Sequence, residues 1–307
     1  MRIFDAHCDV LYKLWSDPNI DPYNDTKLQT TVERLIRNQA KVQCFAVFVP
    51  HRVPVGQKLE AALEQIYLLH KKILKVFPEF KLIKRKRDLS ELKENEIGII
   101  LTLEGCEPIG QNIALLDILY KLGIRSVGLT WNHANLLADG ALEERNGGLS
   151  NFGKEVVKQL NKYRLWTDLS HLSEKSFWDV IEAANFPIAS HSNSYHLCNH
   201  PRNLKDNQIL ALIKSNGMIG LTFVPDFTLA SGEVTISHVL QHIDHLLSLG
   251  AENHLGIGSD FDGIDSTIKG LEGYHCFPIF IEELLKHYPE ELVKNIVYQN
   301  FQNAVSF

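Results

Sequence analysis

Eight short apolar runs, each followed by a stretch with helical periodicity, constrain what this chain can fold into more than any other feature of its sequence. They read RIFDAHCDV, KVQCFAVFV, IGIILTLEG, RSVGLTW, LWTDLSH, PIASHS, MIGLTFVP and HLGIGSDFDG. Such alternation is the pattern of a parallel sheet whose strands are joined through helices. Eight strands is the number that closes a barrel, so the expected fold is α/β, a (β/α)8 TIM-type barrel of amidohydrolase-like kind, with residues 1–307 as a single domain. An open doubly wound sheet is disfavoured because neither G-x-G-x-x-G nor a P-loop follows the first run. Helices are expected in the segments between the runs, with Gly217 and Gly250 as C-cap glycines. KLIKRK reads as a short extra strand and EELVKNIVYQNFQNAVSF as a closing helix. The longest stretch without a periodic pattern, residues 133–153, follows the fourth run, where a barrel keeps its chemistry.

Composition narrows the class further. A net charge of -6 gives no reason to expect a nucleic-acid partner, and the one basic stretch, Lys81 to Arg87, lacks interleaved aromatics. Five cysteines without a C-x-x-C pair suggest neither a disulfide framework nor a zinc ribbon, which fits a reducing compartment. No membrane span and no leader pattern is read from the sequence, so the cytoplasm is the expected location, and a homodimer is the default assembly.

The chemistry-bearing residues collect at the ends of the runs. His7 and Asp9 lie two apart in the first, so on a strand both side chains would face the barrel interior. An imidazole and a carboxylate there are costly unless paired or bound to a cation. Taken alone, the pair is explained equally well by a His–Asp hydrogen bond. Glu104, His133, His171, His191 and Asp260 then end or follow five of the other runs. A barrel enzyme draws its catalytic groups from the C-terminal ends of several strands, so this placement argues for a metal-dependent active site.

Several motifs resemble one family. DAHCDVL is similar to the opening of the membrane dipeptidase (renal dipeptidase-like) family, and TLEGCEPIG to its strand bearing a bridging glutamate. DLSHLS and SHSNSYHLCNHPRN resemble its two histidine segments, and GIGSDFDG its last-strand aspartate motif. The resemblance spans almost the whole chain. It implies that His7 and Asp9 hold one divalent metal, that His171 and His191 hold a second, and that Glu104 bridges them. It further implies substrate contact and oxyanion stabilisation at His133, a carboxylate clamp at Arg202 and proton transfer at Asp260. The implied reaction is hydrolysis of dipeptides, L-D dipeptides included, by a metal-bridging hydroxide, with two zinc ions as the first expectation. The sequence departs from the family at Leu11, where no proline follows the first ligands, and it shows no lipid-anchor signal, so no membrane attachment is expected.

Two other readings are carried alongside: a hydrolase of a different small amide, such as an N-acyl amino acid, and a non-catalytic descendant of the enzyme. His238, His242 and His245 are expected on a solvated helix face, and Trp131 and Trp166 in the core. Glu107, Asp168 and Asp262 flank proposed ligands and are candidates to orient them, while either His196 or His200 is a lesser candidate to line the pocket.

Overall fold

The structure, a computed structural model, describes residues 1–307. Nine parallel strands run in chain order: β1 (Ile3–Asp5), β2 (Ala40–Phe48), β3 (Phe80–Leu82), β4 (Ile97–Glu104), β5 (Ile124–Gly128), β6 (Trp166–Asp168), β7 (Pro187–Ala189), β8 (Met218–Leu221) and β9 (Leu255–Ile257). Their spatial order is β2-β1-β9-β8-β7-β6-β5-β4, and pairing of β2 with β4 closes the ring. The closed set therefore contains the eight expected runs. β3, foreseen as an extra strand, pairs only with the start of β4, from Phe80 opposite Ile97 to Leu82 opposite Ile99.

Strand ends pass into helices through local caps. Thr31 accepts from Arg34 N ahead of the helix Val32–Arg37, Ser150 from Gly153 N ahead of Asn151–Tyr163, and Ser173 from Ser176 N ahead of Glu174–Ala183. The main core fills the space between the strands and the helical ring. A smaller cluster sits at the N-terminal end of the barrel, where Phe301 of the closing helical segment stacks on Phe4 at 5.4 Å and meets Trp166 edge-on at 6.0 Å. Trp166 is thus core, as expected, and that end of the barrel is plugged by the tail of the chain.

One cap differs from expectation. After the helix Asp206–Lys214 the left-handed residue is Asn216, at φ 54°, and Gly217 is not in that region. Asn216 N donates to Ile213 O and Gly217 N to Leu212 O, the bond pair of a Schellman motif with asparagine in the glycine's place. Gly217 is needed for a different reason: a Cβ there would come within 2.8 Å of the Pro187 carbonyl. Gly250 matches its expected role, at φ 91° after the helix Ile236–Ser248.

Candidate metal centre and reaction cavity

The C-terminal ends of the strands bring His7, Asp9, Glu104, His171, His191, Arg202 and Asp260 to one place. His7 Nε2 lies 3.3 Å from Asp9 Oδ2, 3.7 Å from Glu104 Oε2 and 3.7 Å from Asp260 Oδ1. His171 Nε2 lies 2.8 Å from Glu104 Oε1, and His191 Nε2 is 3.7 Å from the same oxygen. His7, Asp9 and Glu104 form one convergent donor group; Glu104, His171 and His191 form another, so Glu104 belongs to both. His7, His191 and Asp260 form a third group.

Local backbone places these side chains. His171 and Asp260 both adopt left-handed conformations, φ 69° and 65°, and so does Asp262 at 69°. Each such non-glycine residue costs about 1–3 kcal/mol and persists where the surroundings over-determine it, a condition met chiefly at functional sites. The turns point His171 and Asp260 back over the barrel mouth. Gly220 and Gly258 pack against the carbonyl of Ser190, where a Cβ on either would collide, so the peptide just before His191 is held by its neighbours' lack of side chains.

Two hydrogen-bond chains set the histidine tautomers. Ser190 Oγ donates to the Asp168 carboxylate, and so is left to accept from His191 Nδ1 at 2.7 Å. Asn132 Oδ1 accepts from His171 Nδ1 at 2.8 Å. Both rings are therefore protonated on Nδ1 and turn the lone pair of Nε2 inward. Those two Nε2 atoms lie 2.8 Å apart, with no hydrogen left to share between them. Two facing lone pairs at that separation repel unless a cation lies within reach of both.

The charge balance makes the same demand. Asp9, Glu104 and Asp260 converge in a buried volume where Arg202 is the one obligate cation. Burial pushes the Glu104 carboxyl well above its ordinary range, and Asp260 to about 7. Burial pushes His171 and His191 well below theirs. For His7 burial is outweighed by Glu104, Asp9 and Asp260, which hold the imidazole protonated up to about 10. His7 Nε2 and Asp9 Oδ1 are nevertheless buried without a hydrogen-bond partner. Orphaned donors of His and carboxylate type around an excess of negative charge fit divalent transition metals.

A consequence is measurable. Since His7 carries a proton up to about pH 10 when no cation is present, cation uptake must displace it. Raising the pH deprotonates His7 and so favours uptake; metal affinity should climb by about tenfold per pH unit for each proton displaced. Competition with a chelator of known affinity between pH 6 and 9 measures the slope, and a flat profile would show that His7 is not a ligand.

Glu104, Asp260 and His171 line a cavity of about 250 Å³ with Tyr12, Phe48, Trp131 and Asn132. A neighbouring cavity of about 280 Å³ shares His171 and includes Arg202 and Tyr195. Arg202 is 4% exposed, its Nη2 donates to His191 O at 3.4 Å, and its Nε is buried with no partner. A buried guanidinium with a free donor edge, laid over Phe227 at 5.4 Å, is prepared for a carboxylate.

The structure does not bring His133 to this cavity. His133 is exposed and its ring lies against His51 at 5.3 Å, while the two residues before it, Trp131 and Asn132, face the reaction volume. Trp131, expected in the core, is half-buried at the mouth. Asn132 went unnoticed in the sequence because no period governs side-chain direction past a strand end. Of the flanking acids, Asp168 orients His191 through Ser190; Asp262 accepts from Gln29 N at 2.7 Å and Thr30 N at 2.9 Å and so anchors another loop; Glu107 lines a separate pocket with His51. A further acid, Asp5, is fully buried and takes hydrogen bonds from Ser259 N, Ser259 Oγ and Gln43 Nε2, fixing the turn that carries Asp260. His200 Nδ1 accepts from Arg202 N at 3.2 Å and so helps fix the backbone that carries this guanidinium.

Comparison with known proteins gives a consistent result. The model of the membrane dipeptidase family (peptidase family M19) matches residues 1–306. Dipeptidase tcpJ of Claviceps purpurea is 28% identical over 291 residues, covering 90% of this chain and 68% of that protein. The crystal structure of dipeptidase AC, a metallopeptidase of family M19, superposes with a TM-score of 0.93 at 27% identity, covering 99% of this chain and 98% of that one. A metallopeptidase from Rhodobacter sphaeroides, solved with a phosphinate mimic of the dipeptide L-Ala-D-Ala, superposes with a TM-score of 0.94 at 25% identity, covering 99% and 98%.

Proposed function

The chain belongs to the membrane dipeptidase family, peptidase family M19, and is a metal-dependent dipeptidase; we propose that it works with two divalent cations shared through Glu104. In this reading His7 and Asp9 hold one cation and His171 and His191 the other. Zinc is our assignment for both, from the His and carboxylate donor set. When bound, the pair would lower the pKa of a shared water enough to supply hydroxide near neutral pH and would polarise the scissile carbonyl. The single observation that carries the reading is the pair of inward Nε2 lone pairs, 2.8 Å apart, beside Glu104 Oε1.

The protein's own groups do the rest. Arg202 binds the substrate's free carboxylate through its unpaired donor edge, which places the C-terminal residue in the cavity lined by Tyr195. The scissile carbonyl then lies toward Glu104 and Asp260. Asn132 Oδ1 is taken by His171, leaving Nδ2 to donate to a carbonyl oxygen as negative charge grows there. Asp260 accepts the proton of the attacking water and returns it to the leaving amine. The Rhodobacter sphaeroides relative was solved with an L-D dipeptide mimic; we infer that a D-residue at the C-terminal position is accepted here too. The five thiols are buried and unpaired, which supports the cytoplasm as the working compartment, and no helix is long and apolar enough to cross a membrane.

The test is metal content by elemental analysis together with hydrolysis of L-L and L-D dipeptides before and after chelation. About two metals per chain and turnover that disappears with the metals is the expected result. Metals present with no dipeptide turnover, but with cleavage of N-acyl amino acids, would move the substrate to that class.

Asn132→Ala separates the roles of neighbouring residues. It frees the His171 ring, and metal affinity or kcat should fall by about 10–100-fold, the usual cost of losing a partner behind a metal-bound histidine. His133→Ala should lose less on both measures, and the reverse ranking would return the substrate role to His133.

A further inference from the structure

A second group of metal-ligand type lies outside the reaction cavity. His245 Nε2, in the last turn of the helix Ile236–Ser248, is 2.8 Å from Asp206 Oδ1 at the start of the helix Asp206–Lys214. The His196 ring, from the segment after β7, stacks on His245 at 4.6 Å with an interplanar angle of 4°. One donor atom from each of the three residues falls within 4.8 Å of the others. The sequence places His238, His242 and His245 on a solvated helix face, and the fold corrects that reading for His242. His242 is buried, accepting from Ser194 N at 3.1 Å and facing the Thr228 carbonyl at 3.0 Å, so it is neither solvated nor free to bind metal. His238 turns to Thr235 at the helix start. The acid that His245 lacked in sequence arrives from Asp206, and the second imidazole from His196.

We propose that His196, Asp206 and His245 form a separate divalent-cation site that braces the substrate-carboxylate clamp. Two imidazoles and one carboxylate with the remaining positions open to water suit zinc, cobalt or nickel. His196 is exposed, with its backbone N–H donated to Ser194 Oγ, and the three donors come from three different elements, so a cation there ties those elements together. What it ties is informative. His196 and Asp206 bracket Arg202 in sequence, and His242, one turn before His245, already holds Ser194 at the start of the same segment. A cation at His245 adds a second anchor from the same helix across both ends of the segment that carries Arg202. Its occupation restrains the clamp without touching the substrate, so it lowers KM and leaves kcat nearly unchanged.

The cation-binding half of the proposal is independent of the dipeptidase reading; the effect on KM rests on it. The experiment loads the reaction cavity first, then equilibrates the protein with zinc alone and measures zinc per chain by elemental analysis and calorimetry. Wild type is expected to take up one equivalent more than His196→Ala or His245→Gln. Glutamine preserves a polar side chain facing Asp206, and thermal melts of each variant show whether the fold is retained. Equal zinc content in wild type and both variants overturns the site. Loss of the extra equivalent in a folded variant with an unchanged KM overturns the link to Arg202, and a several-fold rise in KM at constant kcat supports it.

Discussion

Replacing Asp260 by asparagine is expected to lower kcat by about 10²–10⁴-fold, the range for losing a positioned proton carrier, while metal content stays at the wild-type level. The side chain is held at 13% exposure by a left-handed turn, and its Oδ1 lies 3.7 Å from His7 Nε2. Burial raises its pKa to about 7, and the positive groups nearby, His7 and Arg202, pull in the opposite direction. A carboxyl balanced in this way can take a proton near neutral pH and give it up again. Asparagine is nearly the same size but exchanges one acceptor oxygen for a donor NH2 and carries no charge, so the loss reports proton transfer and charge rather than packing. Because His7, His191 and Asp260 also converge as a donor group, the metal content decides between roles. A variant that loses a metal marks Asp260 as a ligand, and one that keeps both metals and full turnover refutes the proton-transfer role.

Arg202→Met should act on a different constant. Removing one partner of a buried, hydrogen-bonded charge pair costs about 2–5 kcal/mol, which corresponds to a rise in KM of about 30-fold or more. The burial that lowers the guanidinium pKa to about 10 still leaves it charged at neutral pH, and it is that burial which makes the pair strong. A dipeptide amide provides the control. On wild type it should suffer a loss similar to that caused by the substitution, and on Arg202→Met it should suffer little more, because the clamp and the carboxylate account for one interaction. Additive losses would place the carboxylate elsewhere. Arg202 also offsets Glu104 and Asp260, so a fall in thermal stability is expected in the same variant.

How far the site was legible follows from where each residue stands. Only Glu104 stands on a strand, as the last residue of β4; His7 and Asp9 lie two and four residues past β1, with Asp9 at the N-cap of the helix Val10–Ser16, so strand alternation does not set their directions as the sequence reading expected. His171, His191 and Asp260 lie two or three residues past the ends of β6, β7 and β9, and they were found through motifs rather than periodicity. Asn132 and His133 are adjacent in a loop, and residue type favoured the histidine. The chain turns so that the asparagine faces the cavity and the histidine faces His51. Asp168 was named as a candidate orienting group, but its route through Ser190 to His191 Nδ1 depends on the pairing of β6 with β7.

The sequence by itself determined the number of barrel strands, their order along the chain, the helices between them and the identity of most residues gathered at the barrel mouth. These are local properties, because a strand or helix writes its period into a few consecutive residues and a barrel collects its strand ends on one face. Only the tertiary structure decided which loop side chains turn inward, which tautomer each histidine holds, that Asn216 rather than Gly217 takes the left-handed cap, and that Asp206 meets His245 and His196. Apart from the Asn216 cap, whose bonds run to nearby Ile213 and Leu212, each of these depends on contacts between segments about twenty or more residues apart, and no local pattern in the chain encodes such a contact.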